Sequence, residues 1–542
     1  MADAPAFDSF ARDNLPPRDQ WPDLSLGDLH YPDQLNCVAE LLDCHVTAGS
    51  GARPCVRSPT ESWSYAELLT RVNQIANVLT RQLGMIPGNR VLLRAPNTPM
   101  MVAAYLAVIK AGGIAVATMP LLRARELGAI IDKARISLAL CDHRLLADLN
   151  AAAQSRDTLR VVPWGSTGTD DLLAMMQQET ADFAPYPTRA DDVCLIAFTS
   201  GTTGEPKGTM HFHRDMLATC DTYGSRVLCA KPDDIFIGSA PIAFTFGLGA
   251  AVLFPLRIGA STLLLEQPSP DNLLAAIRTL RPTVCFTAPT AYRVMLGKMQ
   301  PGEVASLRIC VSAGETLPKP TWDAWHAATG IAILDGIGST EMLHIFIGAP
   351  VDRVRPGATG IPVPGYQAKL IDDSGNDLPR GGTGRLAVRG PTGCRYLADS
   401  RQTQYVQNGW NITGDTYHQD ADGYFWFQAR SDDMIVSSGY NISGPEVEVA
   451  LLTHPAVAEC GVVASPDAER GMVVKAYVVL HQPDAASPEM ARLLQDHVKA
   501  EIAPYKYPRA IEFVHALPRT GTGKLQRFVL REQASTATPG EP

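Results

Sequence analysis

Thr199-Ser200-Gly201-Thr202-Thr203-Gly204-Glu205-Pro206-Lys207-Gly208 is the stretch whose reading decides the fold. A strand-like apolar run, Val193–Phe198, leads into it, and a helix is predicted from about His213. Gly201, Gly204 and Gly208 carry no Cβ, so backbone N–H groups there can close on an anion. Thr199, Ser200, Thr202 and Thr203 add hydroxyl donors, and Lys207 adds a point charge. This is the chemistry of a loop that holds a nucleotide polyphosphate. It is not the G-x-x-x-x-G-K-[ST] loop, because Lys207 is followed by Gly208 and Thr209. A Ser/Thr/Gly run is also the composition of a flexible surface loop, and composition alone leaves both readings open.

The composition sets bounds on the rest. The chain has 542 residues, 46% hydrophobic and 19% charged, which is enough for a large core and for two to four folding units. A net charge of −9 argues against an electrostatic nucleic-acid footprint. The acidic start, MADAPAFDSFARD, lacks the apolar core of a signal or transit peptide. No apolar run reaches the roughly 18 residues of a spanning helix; Lys110, Pro255 and Arg257 break the best candidates. Eleven scattered cysteines without a C-x-x-C pair signal neither a zinc site nor a disulfide framework. Reduced thiols in a cytoplasmic protein, a monomer or homodimer with no nucleic-acid or membrane partner, are the expectation.

In chain order, Ser64 and Glu67 form a capping box that opens an amphipathic helix over 67–84. Arg90–Leu93 and Ile114–Thr118 read as strands, and Pro99–Ala111 and Glu126–Ala134 as helices. Strands and helices alternating at this spacing predict an α/β fold with doubly wound, mostly parallel sheet. Leu307–Ser312 is a predicted strand before Ala313-Gly314-Glu315. A helix over Pro320–Thr329 and a strand over Ile331–Leu334 follow. Asp335-Gly336-Ile337-Gly338-Ser339-Thr340-Glu341 is then expected as a loop at that strand's carboxyl end, where ligands bind in such sheets. Residues 357–430 are β-rich, with a turn at Asp372–Asn376, and predict a β-barrel-like subdomain. A smaller α+β unit follows. It has a tight loop at Ser437–Ile442, a helix at Pro445–Thr453, strands at Val457–Val463 and Val473–Leu480, and a helix at Ala491–Ile502.

Six motifs in order, beginning with the full string at 199–208, resemble those of the adenylate-forming superfamily. Its members include acyl- and aryl-CoA ligases, luciferases and peptide-synthetase adenylation domains. The later motifs are Pro241–Gly249, Ala313–Glu315, Asp335–Glu341, Trp410–Asp415 with Arg430–Asp433, and Pro518–Arg527. The resemblance covers essentially the whole chain. It implies an adenylation domain over 1–431, a mobile C-terminal domain over 432–542 and a hinge at Asp432. It implies that Thr199–Gly204 and Lys207 hold the phosphates of ATP. Ala313, Gly314 and Glu315 would lie against adenine, with Asp335 near its amino group beside Gly336. Thr340 would meet the α-phosphate and Glu341 would ligate Mg²⁺. Asp415 would accept from both ribose hydroxyls, with Arg430 nearby. Lys524, in the glycine-containing loop of the last motif, would be the mobile catalytic lysine. Ser437, Ser438, Gly439 and Tyr440 would line the channel for coenzyme A.

Within the superfamily, Ile337–Phe346 resembles the benzoate-CoA ligase group, and the chain is also similar to 2-aminobenzoate-CoA ligases. Phe244 stands where many members have histidine. The aryl pocket implied comprises Phe244, Thr245, Phe246, Ile337, Gly338, His344 and Ile345. Thr245 stands where ligases for plain benzoate have an alanine-like residue, and Phe246 where they have tyrosine. A hydroxyl at Thr245 could bond an ortho amine, so the aryl acid expected is 2-aminobenzoate. Broad benzoate ligation, delivery of the acyl group to a carrier protein, and a Thr245 that only satisfies local backbone stay open.

Overall fold

The computed structural model describes residues 7–199, 206–430, 435–437, 440–467, 471–502, 506–519 and 525–536. The N-terminal part is built on two doubly wound sheets. The first has six strands, in the order Arg160–Trp164, Leu138–Asp142, Arg90–Arg94, Ile114–Thr118, Val193–Thr199 and Lys207–Phe212. All neighbours are parallel except the last pair, which is an antiparallel hairpin. The second has nine strands. Ile333–Gly338, Ile309–Ser312, Val284–Thr287, Ile235–Gly238, Ser261–Leu263 and Pro54–Arg57 run parallel through its middle. Antiparallel strands flank them at both ends.

Local sequence explains these elements. Every residue of Arg90–Arg94 and Ile114–Thr118 is buried, as expected for parallel strands covered on both faces. The helix Tyr65–Asn77 starts with the predicted capping box: Ser64 Oγ accepts the Glu67 N–H, and the Glu67 carboxylate accepts the Ser64 N–H at 2.7 Å. Pro99–Lys110 is capped by Thr98 and buried all round, and Gly112, at φ +80°, ends it. One large core joins both sheets through residues such as Leu93, Ala115, Phe236, Phe286 and Leu334.

The β-rich region is a five-stranded antiparallel sheet centred on the long strand Trp410–Gln419. The smaller C-terminal domain is α+β. Its three-stranded sheet, Val457–Asp467, Gly471–Leu480 and Ala510–Phe513, packs with helices Gly444–Leu452, Pro488–Glu501 and Arg527–Thr536. Among the described residues no helix is long and apolar enough to cross a membrane.

The helix expected from about His213 is present as His213–Thr219, preceded by a strand, Lys207–Phe212, that pairs antiparallel with Val193–Thr199. One local expectation is corrected. The strand expected to stop at Leu334 continues to Gly338, so Asp335, Gly336, Ile337 and Gly338 belong to it. The reason is close backbone approach to the neighbouring strand Ile345–Gly348. A Cβ on Gly336 would lie 2.8 Å from Ile345 Cγ2, and one on Gly338 would lie 2.7 Å from the His344 carbonyl oxygen. Only glycine lets the pairing continue there. Folding also gathers Cys37, Cys194 and His213, far apart in sequence and all buried, with His213 Nδ1 accepting the Cys37 N–H at 3.1 Å.

A buried charge pair joins the helix after the hairpin, His213–Thr219, to the segment after the β-rich sheet's strand Thr383–Arg389. Arg395 donates to Asp215, and neither side chain touches solvent. Burial, the largest single influence, pushes the Asp215 carboxyl up, but the Arg395 charge, His211 and the Phe212 N–H together hold the group below its ordinary 3.8. The pair therefore contributes its stability fully above that value and loses it as pH falls toward the folded pKa. Asp215→Ala strands a buried guanidinium, and we expect a loss of about 3–5 kcal/mol in denaturant unfolding at neutral pH. Asp215→Ala with Arg395→Met should recover part of that loss.

Candidate active site

The hairpin strand Lys207–Phe212, the strand Ile333–Gly338 and the segment Cys394–Tyr405 converge on one place. Beyond Gly338, Ser339 Oγ accepts the Met342 N–H and starts a single turn, Thr340–Met342. That turn is fixed from behind: His211 Nε2 lies 2.8 Å from the Thr340 carbonyl, and His211 Nδ1 lies 3.7 Å from Asp215. His211 and Thr209 lie on the same face of the hairpin strand as Lys207. Glu341 is buried, and its Oε1 accepts a 2.6 Å hydrogen bond from the Tyr396 hydroxyl. Lys207 Nζ donates to the same hydroxyl at 3.3 Å and lies 4.0 Å from Glu341. Sequence reasoning named Lys207, Thr340 and Glu341 but missed Tyr396 and His211. The alternation Lys207-Gly208-Thr209-Met210-His211-Phe212 is a period-two signal that would have placed His211; Tyr396 has no local signal.

A lone buried carboxylate beside a lysine fits a hard divalent cation whose remaining ligands are phosphate oxygens and water. Glu341 is the residue that would hold Mg²⁺. Thr199 Oγ1, on the hairpin's first strand, is buried without a partner, as a donor awaiting a ligand would be.

A second group of candidate residues lies at strand ends. Ala313 is buried and Gly314, exposed at φ +87°, turns the chain after the strand Ile309–Ser312. Glu315 accepts from Thr290 Oγ1 at 2.7 Å. Asp335 pairs in register with Ser312, and both Asp335 Oδ1 and Ser312 Oγ are buried without partners. Burial pushes the Asp335 carboxyl well above its ordinary 3.8. Asp415 is buried opposite Arg430 on the neighbouring strand, and Arg430 Nη1 donates to it at 3.0 Å.

A third group forms an aromatic box. His344 is buried against the rings of Phe246, Phe254, Phe286 and Tyr223, with centroids 4.6–6.4 Å away. Phe246 stacks on it and Phe254 meets it edge-on. Gly249 makes room, because a Cβ there would lie 2.3 Å from His344 Cδ2. Burial pushes the imidazole down to about 3, so it is neutral at physiological pH. Neither of its nitrogens, nor the Tyr223 hydroxyl, makes a hydrogen bond of good geometry, although the Phe246 backbone interacts with the ring and offsets part of the effect of burial. Ile345 and Thr245 are buried, Phe244 and Ile337 are half-buried, and Gly338 is exposed. Tyr223, Phe254 and Phe286 were not anticipated, since rings distant in sequence give no signal until the sheet brings them together.

Ser437 is buried in a two-stranded hairpin with Tyr440–Ile442. Ser200, Gly201, Thr202, Thr203, Gly204, Asp432, Ser438, Gly439 and Lys524 lie outside the described residues. Arg519 bridges to Leu525 in the backbone, so the two ends of the Lys524 segment are held together.

Comparison with known proteins follows this geometry. The family described as AMP-binding enzyme matches residues 45–396, and the AMP-binding enzyme C-terminal domain matches 446–524. A benzoate–CoA ligase of Thauera aromatica is 37% identical over 511 residues, covering 93% of this chain and 97% of the relative. A crystal structure of an anthranilate CoA ligase in complex with anthranoyl-AMP superposes with TM-score 0.88 at 34% identity, covering 93% of this chain and 98% of the other. A benzoate CoA ligase from Burkholderia xenovorans LB400 gives 0.85 at 32% identity, covering 92% and 100%. With both the large and the small domain matched, the chain belongs to the AMP-binding enzyme family, among its AMP-forming acid–CoA ligases.

Proposed function

We propose that this enzyme joins an aryl acid to coenzyme A through an aryl-adenylate, with 2-aminobenzoate its preferred acid. The observation that carries the reading is the aromatic box around His344. A flat apolar slot with few polar groups suits an aryl ring. A neutral imidazole whose nitrogens lack well-formed hydrogen bonds offers one acceptor and one donor, and leaving such groups unpaired costs about 1–3 kcal/mol. An ortho amine and the adjacent carboxyl group can meet both needs, with Thr245 as a further hydroxyl nearby. The similarity to an anthranilate CoA ligase supports this acid, and that to benzoate–CoA ligases supports the class.

In the first half-reaction the aryl carboxylate attacks the α-phosphorus of ATP, giving aryl-AMP and pyrophosphate. In the second, the thiol of coenzyme A attacks the acyl carbon and AMP leaves. The first step brings two anions together, so charge neutralisation and in-line placement dominate. Lys207, Thr199–Gly204 and Thr340 are assigned to the phosphates, and Lys524 adds charge there. Mg²⁺ on Glu341, when bound, neutralises phosphate charge. Ala313, Gly314, Glu315, Asp335 and Gly336 are assigned to adenine, and Asp415 with Arg430 to ribose. Residues 432–542 then turn about Asp432, which withdraws Lys524 and brings Ser437–Tyr440 to the thiol. We place the reaction in the cytoplasm, which suits eleven free thiols.

The test is a panel of aryl and alkyl acids with ATP and coenzyme A, followed by thioester mass. We expect aryl acids to react and 2-aminobenzoate to exceed benzoate in kcat/KM by about threefold to tenfold, the span of one neutral hydrogen bond. Thr245→Ala should shift that ratio toward benzoate. A wild type that prefers benzoate reduces the assignment to a general aryl-CoA ligase.

The two half-reactions should separate at Lys524. Lys524→Ala is expected to slow aryl-adenylate formation by about a hundredfold or more while supplied aryl-adenylate is still converted to thioester. Equal loss in both, followed by pyrophosphate release and thioester formation, contradicts the rotation.

A further inference from the structure

Tyr396 belongs to none of the sequence motifs, yet it occupies the centre of the charged site. Its hydroxyl donates to Glu341 Oε1 at 2.6 Å and accepts from Lys207 Nζ at 3.3 Å. Lys207 Nζ also lies 5.3 Å from the ring centroid. The ring is buried and meets Tyr405 edge-on at 5.9 Å. The backbone is held too: Gln402 Oε1 accepts the Tyr396 N–H at 2.9 Å, and Gln402 Nε2 donates to the Gln20 and Cys394 carbonyls. Thr209 and Tyr396 bridge in the backbone, so the residue is registered against the hairpin strand that carries Lys207. Tyr405 reaches the same turn from its other end, 3.2 Å from Ser339 Oγ.

We infer that Tyr396 is a positioning residue that fixes the Glu341 carboxylate for the divalent cation bound with ATP. The inference rests on the assignment of Glu341 to that cation in the function proposed above. A carboxylate free to rotate presents its oxygens in many arrangements. One whose Oε1 is tied to a rigid phenol presents Oε2 in a fixed direction. Partners that orient a metal-ligating carboxylate typically change metal affinity or activity by about 10–100-fold when removed. The phenol is suited to the task because it stays a donor. The same hydroxyl accepts from Lys207, so it also holds the lysine and the carboxylate apart at 4.0 Å instead of letting them close into a direct pair. That keeps the lysine's charge available to a phosphate.

The experiment measures metal binding apart from turnover. Mn²⁺ is titrated into the full chain with α,β-methylene-ATP, and free Mn²⁺ is read by electron paramagnetic resonance. Tyr396→Phe keeps the ring, its contact with Tyr405 and its place under Lys207, and loses only the hydroxyl. We expect it to weaken Mn²⁺ binding about tenfold or more. The Mg²⁺ concentration for half-maximal pyrophosphate release should rise by the same factor, with thioester formation from supplied aryl-adenylate unchanged. In a Glu341→Gln background, adding Tyr396→Phe should change Mn²⁺ binding no further. Wild-type Mn²⁺ affinity in Tyr396→Phe overturns the inference. So does an additive loss in the double variant, because Tyr396 would then act independently of Glu341. A wild type that binds Mn²⁺ with the analogue but forms no adenylate from any acid overturns the proposed function, and the Mn²⁺ cycle still decides Tyr396. A wild type that binds no Mn²⁺ overturns both.

Discussion

Arg395 and Asp215 meet where neither touches water, and the Arg395 guanidinium lies 3.8 Å over the Phe212 ring. Two backbone hydrogen bonds flank the pair: Met210 N–H to the Arg395 carbonyl and Leu397 N–H to the Gly208 carbonyl, each 2.8 Å. The segment Arg395–Leu397 thus runs along the hairpin strand Lys207–Phe212 as a further edge. A buried charge tolerates little displacement, because its partner must remain in place to offset desolvation. That intolerance sets the register. With Arg395 fixed, Tyr396 can only point toward Glu341 and Lys207. With Asp215 fixed, His211 stands behind Thr340. The polar centre of the site is therefore carried by a contact that itself touches no ligand.

The aromatic box follows a different physical rule. Phe246, Phe254, Phe286 and Tyr223 come from separate elements and pack by area and shape, with ring geometries that range from stacked to edge-on. Inside this apolar wall His344 is the exception, and its neutrality follows from burial. The two groups differ in character. The side of the strand Lys207–Phe212 carries the charges of Lys207 and Glu341, and the box side is apolar apart from His344, Thr245 and the Tyr223 hydroxyl.

Much of this was legible in the chain. The string Thr199–Gly208, the capping box Ser64–Glu67, the alternation of strands and helices, and the order of the motifs are local. Each depends on side chains within a few residues of one another, so the fold class follows from them. The glycines at 336 and 338 were legible as glycines but misread as a loop. What they permit is close pairing with Ile345–Gly348, and their meaning depends on a partner strand that local reading cannot see.

The sequence by itself determined an α/β chain with a large and a small domain, and it singled out Lys207, Thr340 and Glu341 as candidate site residues. Only the tertiary structure decided which groups hold those residues in place. Tyr396 lies 55 positions from Glu341 in sequence and Arg395 lies 180 from Asp215. No periodicity spans such distances, and the pairs exist because sheet register and the burial of charge bring them together.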